Sequence, residues 1–508
     1  MRAAAVTDIA PNGVRARVRR PPVRRQRVAG LLREHRLLVA FLLAAAVLRV
    51  VVWLAFRPAL QFYGDSFTYL GNAAHLAPRS DRPIGYPVVL ALLMLPGNSL
   101  ALVTAVHHVI GLALGVLVYA LVLRFGAPTW AAAVAALPIL IDGYQLDIEQ
   151  FIMSEPLFQL LVLGAICLLL LPKRLTPRLC AAAGLVLALA ALTRTLALVV
   201  AGPFVLLLLV RRVGRRRLTA FLLAFSLPLA GYMLWFHAVW GRYAIVGYDG
   251  LFLYGRVAQF ADCDVVRPPP AERVLCEPVA PEDRLGPDFY DWSALSPRWR
   301  LPHPTSVPTM QVLGDFARRV IAAQPREYAQ VVAGDVVHYF ASGRFAGPRD
   351  WYPQTWRFPT RGWRERHLWH VTVATVSHNG TRPIRHHQSD ALTTFLRGYQ
   401  RVSTPGPVLA LGLVVGLTGA AVGRGRPGLR SASAFLAVTG LTILVAPSAT
   451  ADFDYRYALP TLPLLPTAGI LGAWAIAGRL RRRQPAGVEV AEHTPRLVPA
   501  LKASRVGD

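Results

Sequence analysis

The chain has 508 residues, of which 54% are hydrophobic, and it carries a formal net charge of +27. This apolar content exceeds that of ordinary soluble domains, and long apolar runs account for it. In a soluble protein such a charge would favour a nucleic-acid partner. Here the arginines lie mostly between apolar runs and at the two chain ends, as in multi-pass membrane proteins, and no nucleic-acid-binding module is recognisable. We therefore expect a lipid bilayer, and no nucleic acid, as partner.

Residues 1–36 are rich in Arg and Pro and have no hydrophobic pattern, which predicts a disordered basic cytoplasmic tail. Apolar runs then follow one another, and a transmembrane helix needs roughly 20 such residues. The predicted spans are 37–56, 100–123, 128–145, 155–171, 179–193, 195–210, 218–239, 405–422, 431–447 and 457–478. The shorter run Ile84–Pro96 predicts a juxtamembrane helix. The expected fold is an all-α polytopic membrane protein with about ten transmembrane helices and a mixed extracytoplasmic loop domain.

Clusters of Arg and Lys fall in alternate connections between these runs, which places those connections and both termini in the cytoplasm. The other connections carry most of the acidic residues and lie outside a plasma (inner) membrane. The expected domains follow from this topology. They are an N-terminal transmembrane core at 37–239 with a juxtamembrane catalytic loop at 57–99, an extracytoplasmic loop domain at 240–404, C-terminal transmembrane helices at 405–478 and a cytoplasmic tail at 479–508.

The segment 240–404 is too long for a simple connector. Apolar residues at helical spacing predict helices over Val307–Ala323 and Arg326–Ala341. A disulfide between Cys263 and Cys276 is expected if the segment lies outside the cytoplasm. A run rich in Trp and Arg between 349 and 369 suits either a membrane-interface anchor or a sugar-binding face, and we favour the interface.

Four stretches on the predicted outer side carry ionisable groups at the ends of apolar runs. Their principal members are Asp65, Arg82, Glu155, Arg194 and Arg456. Carboxylates can accept a proton, and arginines can bind a phosphate through paired hydrogen bonds. The set therefore predicts one site that combines a base with a phosphate-binding group.

Further candidates for this site lie close to these residues in the sequence. They are Tyr69, Tyr86, Glu149 and Asp454. For Asp142, Asp147 and Glu149, a solvated loop is the favoured interpretation, because all three lie in a predicted outer connection.

Five short motifs occur in a fixed order along the chain. They are Gly64-Asp65-Ser66-Phe67-Thr68-Tyr69, Arg82-Pro83-Ile84-Gly85-Tyr86-Pro87, Ser154-Glu155-Pro156-Leu157-Phe158, Leu192-Thr193-Arg194 and Tyr455-Arg456-Tyr457-Ala458-Leu459-Pro460. With these motifs the chain resembles the membrane glycosyltransferases of the GT-C fold. The similarity is greatest to the branch with the lipid A aminoarabinose transferases, the protein O-mannosyltransferases and bacterial polyprenyl-phosphate-sugar transferases.

The resemblance implies transfer of a sugar from a polyprenyl-phosphate donor to an extracytoplasmic cell-wall glycan, glycolipid or protein, with inversion at the anomeric carbon. It implies that Asp65 is the catalytic base or holds the acceptor, and that Glu155 is the second acid. Arg82, Arg194 and Arg456 would bind the donor phosphate, although Ile84 stands where the family has a second proline. A divalent metal ion held by Asp65, Glu155 and the lipid phosphate is left open.

Three other interpretations remain open. A transporter or flippase also has many spans and intramembrane charges, but we find no repeated halves. A ligase or polymerase of the O-antigen type would place its key residues in a late loop, so it would tolerate substitution of Asp65. A non-catalytic scaffold could share the fold.

Overall fold

The structure is a computed structural model that describes Gly30 and residues 33–62, 64–343, 356–360 and 387–481. Most of the two predicted tails and of the Trp- and Arg-rich run therefore lies outside the described residues. So does Tyr63, within the first motif.

The helices of the first half follow the predicted apolar runs. They are α1 (Arg36–Ala55), α2 (Asp65–Ala74), α3 (Gly85–Met94), α4 (Leu100–Arg124), α5 (Thr129–Ile141), α6 (Gly143–Gln150), α7 (Glu155–Leu170), α8 (Pro177–Thr193), α9 (Leu196–Val210) and α10 (Arg215–Trp240). Local sequence explains their ends: α8 begins at a proline, and the Thr176 hydroxyl accepts a hydrogen bond of 3.2 Å from the Leu179 amide.

The second half begins with the loop domain and returns to apolar helices. Its helices are α11 (Asp249–Ala258), α12 (Cys263–Val266), α13 (Pro287–Trp292), α14 (Val307–Ala323), α15 (Pro325–His338), α16 (Asp390–Arg401), α17 (Pro405–Val422), α18 (Leu429–Thr450) and α19 (Leu465–Arg481). Short 3₁₀ segments lie at Pro270–Leu275, Pro281–Asp283, Pro297–Arg300 and Tyr455–Thr461. Both helices predicted in the loop are present, as α14 and α15.

The protein is an all-α multi-pass membrane protein. In the described part of the chain, five helical segments are long and apolar enough to cross a bilayer: Arg36–Ala55, Leu100–Arg124, Arg215–Trp240, Asp390–Val422 and Leu429–Thr450. Two bent pairs raise the number to seven if each is one span: α5 with α6, bent by 50°, and Tyr455–Thr461 with α19, bent by 42°. The apolar helices α7, α8 and α9 have only 16, 17 and 15 residues.

Two hydrophobic cores can be distinguished. The larger fills the helical bundle, where small residues let backbones approach closely: a Cβ at Gly419 would lie 2.2 Å from the Gly472 Cα. The smaller core belongs to the loop domain and joins α11 to α14, with Tyr254 and Phe316 fully buried. A disulfide links Cys263 to Cys276 beside this second core. Apart from the strand at His387–Gln388, the described loop residues form helices and turns.

Backbone pairing at one end of the bundle brings two loops together. Strand β1 (Phe56–Arg57) pairs antiparallel with β2 (His387–Gln388). Just beyond β1, the Leu60 amide donates to the Gln150 carbonyl at 2.9 Å, and the Ile152 amide donates to the Leu60 carbonyl at 3.0 Å. These bonds hold the loop that precedes Asp65 beside the loop that precedes Glu155.

The solvated loop expected around Asp142, Asp147 and Glu149 is not found. The Asp142 carboxylate caps α6 by accepting from the amides of Tyr144 and Gln145, both at 2.9 Å. All three acids are buried, with Asp147 and Glu149 fully so. The prediction was wrong because the helices pack around this stretch: neighbouring backbone amides bind Asp142, and the distant side chains of Arg49 and His108 bind Glu149.

Candidate active site

A cavity of about 2200 Å³ is lined by both the helical bundle and the loop domain. Among the residues predicted from sequence, its walls include Asp65, Tyr69, Arg82, Arg194, Asp454 and Arg456. Glu155 is fully buried and lies behind Arg194, with which it pairs. The structure therefore brings together the five principal residues, which come from four separate stretches of the chain.

Asp65 lies between two arginines. It is the first residue of α2, after Gly64, whose φ of 88° favours glycine. One carboxylate oxygen, Oδ1, accepts from Arg82 through Nε at 3.1 Å and also through Nη2. The other, Oδ2, accepts from Arg456 Nη1 at 2.6 Å. Both oxygens of this carboxylate are thus bound to guanidinium groups.

Arg456 is the link between the acids. Besides Asp65, its Nε lies 2.9 Å from Asp454 Oδ2 and 3.9 Å from Glu155 Oε1. The side chain is buried in the 3₁₀ segment Tyr455–Thr461. Three carboxylates therefore surround one guanidinium, and a further anion that binds there has to share it with them.

Arg194 lines the cavity next to Arg456 and binds the other principal acid. Its Nη1 donates to Glu155 Oε1 and to the Ser154 hydroxyl, the latter at 3.3 Å. Ser154 also lies 3.0 Å from the Tyr69 hydroxyl. The other Glu155 oxygen, Oε2, has no hydrogen-bond partner within the described ranges. Arg194 itself lies in the short connection between the end of α8 at Thr193 and the start of α9 at Leu196.

Asp65 and Asp454, the two acids of the cavity wall that bind Arg456, differ in their pKa shifts. Burial alone would raise the pKa of Asp65, but Arg82 and Arg456 outweigh it and hold this pKa well below the ordinary range. Burial raises the pKa of Asp454 to about 6, because Arg456 opposes the shift only in part and Asp452 adds to it. Near neutral pH, Asp65 is thus a firm anion, whereas Asp454 lies close to its titration point.

Aromatic rings enclose the Arg456 guanidinium. Its Cζ lies 5.4 Å from the Phe62 ring centre, 5.3 Å from Trp356 and 5.2 Å from Tyr457, all within the range of cation–π attraction. Trp356 is only 6% exposed and packs on Phe62 at 4.9 Å. For this tryptophan the interface prediction was wrong, since Arg456 and Phe62 bury its ring. The other tryptophans of the run lie outside the described residues.

An apolar wall continues from the arginines. It is formed by α9 and α10 and includes Leu196, Leu198, Val199, Leu229 and Met233. Val199 is 52% exposed, and the neighbouring Leu198 is 39% exposed, so this wall is open along the outer surface of the bundle. An amphiphile could therefore place its charged head at the arginines and its tail along α9 and α10.

Besides Glu155, two candidates from the sequence lie outside the cavity wall. Tyr86 is fully buried behind Tyr69, with its hydroxyl 3.2 Å from His107 Nε2. Glu149 is bound to Arg49 at 2.8 Å and to His108 at 2.9 Å, inside the bundle. The sequence made Glu149 a candidate because it lies in the same predicted outer stretch as Glu155, but α6 points its side chain into the bundle.

Several lining residues were not among the site candidates from the sequence. They include Asp452, Phe252, Arg256, Asp291 and Trp292. Asp452 begins the outer stretch that carries Asp454 and Arg456, but it was not selected as a site residue. The other four lie in the loop domain, and only their tertiary packing brings them to the cavity.

No protein-family model matches the chain, and no curated protein matches it. Two solved structures align with it. One is the archaeal oligosaccharyltransferase AglB from Archaeoglobus fulgidus, in complex with an inhibitory peptide and a dolichol-phosphate, at 14% identity, 88% of this chain, 51% of that chain and a TM-score of 0.37. The other is ArnT from Cupriavidus metallidurans in the apo state, at 15% identity, 87% of this chain, 77% of that chain and a TM-score of 0.32.

The chain thus spans about half the length of the AglB chain. With TM-scores below 0.5 the two alignments carry no argument, and the function is inferred from the chemistry of the cavity.

Proposed function

We propose that this protein is an integral-membrane glycosyltransferase that transfers a sugar from a polyprenyl-phosphate donor to an extracytoplasmic acceptor. The observation that carries the proposal is the interleaving of three arginines with carboxylates on one cavity wall, next to an open apolar wall. Arg82, Arg194 and Arg456 offer the guanidinium geometry that suits phosphate oxygens. The apolar wall of α9 and α10 suits a lipid tail. The positive-inside pattern supports a cytoplasmic location of both termini and an outward-facing cavity.

The donor phosphate has to compete with Asp65 for the arginines. In the structure Arg82 and Arg456 bind this carboxylate on both oxygens. A carboxylate whose pKa lies far below neutral is a weak base, because general-base efficiency is greatest when the pKa lies near the working pH. When a phosphate draws the arginines away, the carboxylate loses two cations and its pKa rises toward its ordinary value. Binding of the donor would thereby activate the base.

The reaction then balances in one displacement. The acceptor oxygen forms a bond to the anomeric carbon while the bond from that carbon to the phosphate oxygen breaks. The acceptor proton passes to the Asp65 carboxylate, and the electron pair of the broken bond stays on the lipid phosphate. Arg194 and Arg456 would stabilise this growing charge, and neighbouring carboxylates would stabilise an oxocarbenium-like transition state. A single displacement inverts the anomeric centre.

A divalent metal ion fits the described residues poorly. No group of three or more His, Cys, Asp or Glu side chains that could hold a metal occurs in the described part of the chain. Both oxygens of Asp65 are already bound to arginines. Charge on the departing phosphate is therefore stabilised by guanidinium groups in the proposed reaction, and no step uses a metal.

One observation favours a second candidate, a transporter or flippase. Arg49, Glu149 and His108 form a buried charged cluster inside the bundle, and such clusters often mark translocation pathways. A transporter would move the lipid-linked sugar without breaking its bond to phosphate. Sugar transfer or release therefore separates the two functions.

The proposal is tested with purified protein and a panel of polyprenyl-phosphate sugars, with and without divalent metal. We expect one donor to be turned over by the wild type and by Asp264→Ala, which changes an exposed acid outside the cavity. Asp65→Ala and Arg456→Ala should each lose at least ~10²-fold in rate, which is the lower range for loss of a general base and for loss of one group that stabilises transition-state charge. Turnover that survives Asp65→Ala would disprove the assignment of the base, and absence of any turnover would favour the transporter.

A further inference from the structure

An aromatic strip leads from the arginines into the loop domain. Arg82 Cζ lies 5.9 Å from the ring centre of Phe252 on α11. The Phe252 ring lies 5.9 Å from that of Trp292, the last residue of α13. Trp292 is 45% exposed although it lines the cavity. A large ring is thus presented to the cavity next to the predicted donor site.

The residue before Trp292 is a buried acid. Asp291 lines the cavity, is 2% exposed, and its Oδ1 has no hydrogen-bond partner in the described ranges. It fits only because Gly255 has no side chain: a Cβ there would lie 2.2 Å from Oδ1. Burial, together with Asp452 and Asp288, raises the pKa of Asp291 well above its ordinary value. A protonated carboxyl can both donate and accept a hydrogen bond.

Of the two arginines near this acid, Arg298 and Arg256, only Arg256 lines the cavity, and it is already paired. Arg256 is 1% exposed, its Nη2 lies 2.7 Å from Asp335 Oδ2, and its Nε donates to the Ala451 carbonyl at 3.0 Å. Ala451 immediately precedes the stretch that carries Asp454 and Arg456. Through this hydrogen bond, Arg256 of the loop domain is joined to the segment that leads to the arginine wall.

We propose that Trp292, Phe252 and Asp291 form a subsite for a neutral, hydroxyl-rich sugar, and that this sugar belongs to the acceptor. The aromatic faces would cover the apolar face of a sugar ring, and a large exposed ring gives such contact at little cost in side-chain entropy. The Asp291 carboxyl would bind a hydroxyl group, which satisfies the group that the fold leaves unpartnered. Because Arg256, the arginine that lines this end of the cavity, is already paired with Asp335, the subsite favours a ligand without charge.

Assignment to the acceptor rests on the proposed function. The strip begins at Arg82, which binds Asp65, so a sugar seated on Trp292 would be directed toward the proposed base. The binding of a neutral sugar, however, can be measured without donor, and its result is separate from that of the turnover assay. A failure of one experiment does not imply failure of the other.

The test is saturation-transfer NMR on the purified full chain with maltotriose, mannotriose and arabinotriose as neutral probes and glucosamine as the cationic probe. Trp292→Ala and Asp291→Ala are compared with wild type and with Trp299→Ala. Trp299 is a suitable control because it lies in the same domain, is 41% exposed and does not line the cavity. Thermal unfolding establishes that each variant is folded, and Trp292→Phe gives a milder second change.

We expect at least one neutral trisaccharide to bind the wild type and Trp299→Ala equally. Trp292→Ala and Asp291→Ala should weaken that binding about tenfold, which corresponds to roughly 1.4 kcal/mol, and Trp292→Phe should recover part of it. Equal binding by Trp292→Ala and wild type would overturn the proposal. So would binding of glucosamine alone, or a lack of binding by every neutral probe.

Discussion

The buried pair Arg49–Glu149 gives a quantitative test of how the bundle is held together. Glu149 Oε1 accepts from Arg49 at 2.8 Å and from Gln145 at 3.1 Å, and Oε2 lies 2.9 Å from His108 Nδ1. Both members of the pair are at most 3% exposed in their side chains. Glu149→Gln keeps the shape but leaves the arginine charge buried without a counter-charge. Breaking a buried pair in this way costs about 3–5 kcal/mol.

The pair is best measured as a double-mutant cycle. Arg49→Met should destabilise the protein by a similar amount, because it leaves the glutamate charge uncompensated. The combination of both substitutions removes both charges and should cost clearly less than the sum of the single changes. The free energy of unfolding is measured by titration of the purified protein with a denaturing detergent in mixed micelles, followed by helical circular dichroism.

An exposed pair serves as the control for this cycle. Arg79 and Asp81 lie 3.3 Å apart with side chains 50% and 19% exposed, so their pairing is worth only about 0–1 kcal/mol. If Glu149→Gln costs no more than Asp81→Asn, the cluster does not stabilise the bundle as reasoned. Strict additivity of the two buried substitutions would refute the reasoning equally, since it would mean that the charges do not interact.

Three further predictions concern single features of the fold. The pKa of Asp454 is raised from 3.8 to about 6, so between these pH values the folded state binds more protons than the unfolded state. The free energy of unfolding should therefore fall as the pH rises from about 4 to about 6 and then level off. Asp454→Asn should flatten that part of the pH profile of unfolding. Replacement of Cys263 and Cys276 by serine should destabilise the loop domain by about 3 kcal/mol, the value for a loop of this order, and should be visible as faster limited proteolysis within 240–343. Gly85→Ala places a Cβ 2.7 Å from the Leu192 carbonyl oxygen, so it should shift α3 against the end of α8 and lower donor turnover. Gly71→Ala adds a Cβ that meets no atom within 4 Å, so it should leave donor turnover unchanged.

The sequence predicted the helices well because hydropathy alone defines them. Each predicted span corresponds to a described helix or bent helix pair, within a few residues. It could not predict the 50° bend between α5 and α6, where the Asp142 carboxylate caps α6. Nor could it predict the burial of Glu149, because Arg49 is 100 residues away and His108 is 41 residues away. Such partners appear only when the helices pack.

The candidate site, too, was predictable in the positions of its residues along the helices but not in their tertiary contacts. The motifs placed Asp65, Arg194 and Arg456 at corresponding helix ends, and these ends do lie side by side. Their mutual pairing was not predictable, because Arg456 reaches Asp65 across 391 residues. The loop-domain residues at the cavity, such as Trp292, carry no periodic or motif signal. The catalytic and binding roles of the motif residues and of Trp292 are predictions, which the turnover and binding experiments test.

The sharpest measurement is the binding of a lipid phosphate to the purified protein by native mass spectrometry. Undecaprenyl phosphate is compared with undecaprenol, which has the same tail and no phosphate. We expect the phosphate to bind at least about tenfold more tightly. Arg194→Gln and Arg456→Gln should abolish this preference, and Arg79→Gln, an exposed arginine outside the cavity lining, should retain it. Equal binding of the two lipids, or a phosphate preference that survives both cavity substitutions, would contradict the assignment of these arginines to the donor phosphate.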